Sequence, residues 1–107
     1  MENSNTFLDN QLYNAIMHCS INSTEDFANL TVNLYLICEK KWKSQLQLNM
    51  KKSEVKTIID RTFASWNLFI KRLRKDKYFF MADFLEKHSY KDLFMKDEKL
   101  KEIYNNL

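Results

Sequence analysis

The stretch SEVKTIIDRTFASWNLFIKRLR, residues 53–74, decides the fold class. Its apolar positions Val55, Ile58, Ile59, Thr62, Phe63, Trp66, Phe69, Ile70 and Leu73 recur every three or four residues, which lines one face of an α-helix and no face of a strand. Ser53 is the expected N-cap, giving a helix over 53–74. Apolar residues resume at Phe79, Phe80, Phe84 and Leu85. An unbroken helix to residue 88 would be about 54 Å long at 1.5 Å per residue, too long for a compact domain of this size, so a break is predicted near Arg74–Lys77.

Working outward, Ser23 followed three residues later by Asp26 has the form of a capping box, with Asn22 as the turn residue before it. Phe27, Leu30, Leu34, Ile37, Cys38 and Trp42 then set the stripe of a helix over 24–46. Val32, Tyr35 and Leu36 widen that stripe, the pattern of a helix buried on several sides and hence central. Upstream, Leu8, Leu12, Ala15, Ile16 and Cys19 mark a helix over 6–20, with Thr6 as its cap. Between Ser44 and Ser53, Leu46, Leu48 and Met50 alternate instead of keeping helical phase, which reads as a loop or frayed end. Asp76 is the candidate cap for a helix over 77–88, and Ser89, three residues before Asp92, for one over 90–105. Asn105 and Asn106 can take the left-handed conformation that ends a helix where glycine is absent.

The whole chain of 107 residues contains no glycine and no proline. Tight hairpin turns need positive φ, which glycine supplies without steric cost, so a hairpin-rich β fold is improbable. With no repeat, low-complexity segment or linker, residues 1–107 read as one all-α domain, a bundle of four or five helices. Its expected core is Leu12, Ile16, Leu30, Leu34, Ile37, Ile59, Phe63, Trp66, Ile70, Leu73, Phe80 and Phe84. The longest apolar runs, Leu34–Cys38 and Tyr78–Ala82, are five residues each, against the ~20 needed to span a bilayer. Glu2 follows Met1 with no apolar signal region, so a cytoplasmic location with reduced thiols is expected. Cys19 and Cys38 would lie roughly 15–20 Å apart along a helical hairpin, beyond bridging distance, and read as small core residues.

Chemistry is sparse. His18 and Cys19 are adjacent on a helix and point about 100° apart, while His88 is distant, so neither a metal nor a cofactor is expected. No nucleophile elbow surrounds Ser20, Ser44, Ser65 or either cysteine, and phosphate-cradling loops need glycines this chain lacks. Asp97 and Glu98 alternate with Lys96, Lys99 and Lys101 as a solvated helix face does. The expectation is a protein that is not an enzyme.

Charge is uneven. Net charge is +3, yet residues 1–39 hold five acids and no Lys or Arg, residues 40–77 hold twelve basic residues and three acids, and residues 78–107 hold five lysines and six acids. Lys40, Lys41 and Lys43 follow one helical stripe, and Lys71, Arg72, Arg74, Lys75 and Lys77 another. Helix C-termini favour cations through the macrodipole, but twelve exceed that need. The candidate contact surface is therefore Lys40, Lys41, Trp42, Lys43, Lys71, Arg72, Arg74, Lys75, Lys77 and Tyr78, on a bundle with one acidic and one basic face. The function expected is binding of a protein partner with an acidic surface, regulating, inhibiting or neutralising it, in the manner of immunity proteins, inhibitors or accessory factors. The alternative is a nucleic-acid-binding regulator using segment 40–77, with Trp42 and Tyr78 stacking on bases. Pairing of the acidic and basic surfaces between copies is a further option.

Overall fold

In the computed structural model, which describes residues 4–107 and side chains from Leu8 onward, the chain forms six α-helices and no strand among the described residues. They are α1 (Ser4–Met17), α2 (Thr24–Ser44), α3 (Lys52–Lys75), α4 (Phe79–Lys87), α5 (Tyr90–Lys96) and α6 (Glu98–Asn105). The all-α bundle is therefore as expected, while helix extents differ: α2 ends at Ser44 instead of 46 and α4 starts at Phe79 instead of 77. The first helix stops at Met17 instead of 20, and Thr6 lies inside it instead of capping it. The predicted 90–105 helix is two helices meeting at Asp97, whose ψ of 117° leaves the helical region. The Asp97 side chain then accepts from the backbone N–H groups of Lys99 (3.0 Å) and Leu100 (3.1 Å), so one residue closes α5 and caps α6.

The other ends follow local chemistry. Ser23 Oγ accepts from Asp26 N–H at 3.1 Å while the Asp26 carboxylate accepts from Asn22 N–H at 3.0 Å, fixing the start of α2. Ser89 does the same for α5 through Asp92 N–H. Ser53, by contrast, is already inside α3. That helix starts after Lys51, whose backbone N–H donates to the Glu54 carboxylate at 3.1 Å. Asp76 closes α3 instead of opening α4, which begins after Tyr78 with no side-chain cap.

The break after α3 is a Schellman motif. Lys77 N–H donates to Arg74 C=O and Tyr78 N–H to Leu73 C=O, with Lys77 in the left-handed region at φ 69°. A lysine thus occupies the place glycine usually fills. The other left-handed residue described is Asn49 (φ 64°), whereas Asn106, expected to be left-handed, sits at φ −91°.

The buried side chains form one cluster, and α3 is its axis, packing against α1, α2, α4 and α5. The expectation of a central α2 fails, because its extra apolar residues Val32 and Leu36 are 54% and 57% exposed. Of the expected core, Phe80 is exposed, and Ile37 and Phe84 are only partly buried. Leu8, Tyr13, Cys38, Trp42, Phe69, Ala82, Leu85, Tyr90 and Phe94 are buried as well. Cys38 is a core residue as expected, but Cys19 is exposed because the chain has left α1 before it; both thiols are free. The principal extents of 45 × 35 × 18 Å describe a flattened body about two helices thick.

Candidate interaction surface

Aromatic hydrogen bonds decide which predicted contact residues reach the surface. Trp42 does not: it is 3% exposed, donates its Nε1–H to the Tyr90 hydroxyl at 2.8 Å and meets Phe94 edge-on at 6.0 Å. A large indole on the inner face of α2 buries more apolar area than an aliphatic residue and needs one acceptor, which Tyr90 supplies. Its flanking lysines misled the sequence reading. Trp66 is handled alike, donating to Leu85 C=O at 3.0 Å and stacking on Tyr35, whose hydroxyl donates to His88 C=O at 2.5 Å. Burial pushes the Tyr35 and Tyr90 phenols above their ordinary value, and likewise the Cys38 thiol.

The basic residues divide into those engaged inside the molecule and those left to solvent. Arg72 reaches α1: its Nη1–H donates to Asn10 Oδ1 at 2.7 Å and its guanidinium lies 3.8 Å from the Tyr13 ring centroid. The Tyr13 hydroxyl donates to the Asp76 carboxylate, and this bond raises its pKa. Arg74 forms ion pairs with Asp83 (2.7 Å) and Glu86 (2.9 Å) on α4, the Asp83 bond foremost in holding its pKa up. Lys43 pairs with Glu39 at 3.6 Å, one turn back on α2. Lys40 and Lys41 border a hollow of about 410 Å³ shared with Gln11, Ile37 and Ser44. Lys71, Lys75 and Lys77 are exposed. Arg72 of the basic segment thus reaches α1 of the acidic one, and Lys40 and Lys41 share their hollow with Gln11 of α1.

What the structure places beside Lys75 and Lys77 is aromatic. Tyr78 is partly exposed, Phe79 56% and Phe80 76% exposed. Phe80 meets Phe27 edge-on at 6.0 Å, and Phe84 meets it at 4.5 Å. With Ile21, Asn22, Ser23, Thr24 and Ala28 these rings line a groove of about 420 Å³ at the N-terminal end of α2. Apolarity alone places Phe80 and Phe84 in the core; Phe84 does pack against it, partly buried, whereas Phe80 does not. The short α4, tethered at residues 77–78 by the Schellman turn, turns Ala82 and Leu85 inward and leaves Phe80 on the other side.

Among the described residues no group of three or more His, Cys, Asp or Glu side chains could hold a metal ion. His18 Nδ1 lies 2.8 Å from Asn14 C=O, a contact within its own helical turn. No described helix is long and apolar enough to cross a membrane. Comparison with protein families, characterised proteins and solved structures finds no match to this chain.

Proposed function

We propose that this chain is a non-enzymatic interaction protein that binds a protein partner and by doing so regulates, inhibits or neutralises it. The observation that carries the reading is Phe80, set out in solvent at the mouth of an apolar groove, with exposed Phe79 next to it and Lys75 and Lys77 shortly before it in the chain. Contiguous apolar surface rimmed by polar groups is a mark of interaction sites, and aromatic side chains supply the anchors that dominate interface energies. The adjacent lysines favour an acidic partner and speed its approach. The lysines and the two phenylalanines follow one another along the α3–α4 turn and the start of α4. Nucleic-acid binding, the alternative, retains the lysines and Tyr78, but Trp42 is unavailable for stacking because it is buried.

The test replaces Phe80 with a photo-crosslinking phenylalanine analogue in cells that make the protein, with and without Lys75→Glu and Lys77→Glu. A discrete protein adduct that the charge reversals abolish is the expected result. An adduct with nucleic acid, an adduct of two copies of this chain, or no adduct overturns the reading.

A further inference from the structure

The turn between α2 and α3 carries the most exposed large apolar side chain among the described residues. Leu48 is 94% exposed and its neighbour Leu46 40% exposed. Their position is built, because Gln47 N–H lies 3.2 Å from the Met50 sulfur and Asn49 turns the chain at φ 64°, making a tight corner over 47–50 with Leu48 standing out from it. Asparagine is the residue that tolerates the left-handed conformation when glycine is lacking. Leu48 buries almost nothing, so packing gives no reason for a leucine among Gln47, Asn49 and Lys51. The surroundings are cationic. Residues 40–52 carry five lysines and no carboxylate. The nearest acids in sequence are engaged, Glu39 with Lys43 at 3.6 Å and Glu54 with the Lys51 backbone N–H at 3.1 Å.

We propose that this end of the bundle docks on an anionic lipid surface. Leu48 and Leu46 enter the boundary between headgroups and acyl chains, while Lys40, Lys51 and Lys52 lie against the negative headgroups. Charge complementarity selects a negative surface, and the projecting leucine selects lipid over a phosphate polymer, which would attract the lysines and offer Leu48 no apolar phase. This goes beyond the protein-partner reading and does not depend on it. The Phe27–Phe80–Phe84 groove lies at the other end of α2, a helix of 21 residues and so about 30 Å long. A molecule so arranged can hold a membrane at one end and a protein at the other.

Flotation of the full chain with vesicles of phosphatidylcholine, with and without phosphatidylserine, at low and at physiological ionic strength tests the proposal. Binding is expected only when phosphatidylserine is present. Lys51→Glu with Lys52→Glu should weaken it by at least about 25-fold, at about fivefold for each lysine. Leu48→Ser should weaken it by about tenfold, with far-UV circular dichroism unchanged, since Leu48 has no packing to lose. Binding that is absent or independent of phosphatidylserine overturns the proposal. So does binding that Leu48→Ser leaves intact, or a gel shift with DNA or RNA as tight as vesicle binding and indifferent to Leu48→Ser.

Discussion

At the residue scale, the decisive contrast is between two aromatic side chains whose sequence contexts point the wrong way. Trp42 sits among lysines and is buried, whereas Phe80 sits in an apolar run and is exposed. Trp42→Ala should therefore destabilise the fold by about 3–5 kcal/mol, through lost packing and a cavity against Phe94 and Tyr90. Phe80→Ser should cost only about 0.5–1 kcal/mol, the worth of its edge contact with Phe27. Urea unfolding of the two variants checks the difference. A second expectation concerns alkaline pH. Burial holds Tyr35, Tyr90 and Cys38 neutral, and hydrogen bonds to Asp76 and Asp60 do the same for Tyr13 and Tyr104. All five pKa values are raised in the fold, so their stabilising contribution is intact below the ordinary values of 9.0 for cysteine and 10.0 for tyrosine and is lost as pH rises through the raised values. The melting temperature should accordingly fall above about pH 9–10, as thermal melts will show, and in an ultraviolet titration the phenolate absorbance of Tyr13, Tyr35, Tyr90 and Tyr104 should appear together with unfolding.

At the scale of the element, helix ends depend on side chains three residues apart and on single left-handed residues. Ser23→Ala removes the oxygen that accepts from Asp26 N–H and should cost about 1 kcal/mol, whereas Ser53→Ala, within the first turn of α3, should be close to neutral. The same measurement on both variants tells a cap from a serine that resembles one. Lys77 holds a positive φ that a Cβ disfavours, so Lys77→Gly should stabilise the Schellman turn by about 0.5–1 kcal/mol, read as a higher melting temperature. The chain reaches its helix stops without glycine, and at the end of α3 it is Lys77 that carries the strain of a positive φ.

At the scale of the whole molecule, the helices contribute unequally to a shared core. Helix α3 supplies eight buried residues and α6 none, although Leu100 and Tyr104 of α6 pack against the core and Tyr104 donates to Asp60 at 2.6 Å. Amide hydrogen exchange should follow this order. Protection in α3 should match global unfolding, and α6 should exchange through local opening at a lower free energy. Uniform protection through both helices would mean that α6 is docked more firmly than its burial implies. The same assembly ties the basic end of α3 to its neighbours, with Arg72 bonded to Asn10 of α1 and Arg74 paired with Asp83 and Glu86 of α4.

The sequence by itself determined the all-α class, the break within Arg74–Lys77, the caps Ser23 and Ser89 and most of the core stripe of α3. These are local properties: apolar spacing, a capping oxygen three residues from its donor, and the absence of residues that hairpins require. Only the tertiary structure decided that α3 and not α2 is central, that Trp42 faces Tyr90, that Cys19 is exposed and that Phe79 and Phe80 stand out beside Lys75 and Lys77. An apolar stripe states that a face must be covered; which neighbour covers it, and which apolar residues are left over, depends on helix lengths and on the directions set by turns at positions such as Lys77 and Asp97, and these emerge only when all the helices pack at once.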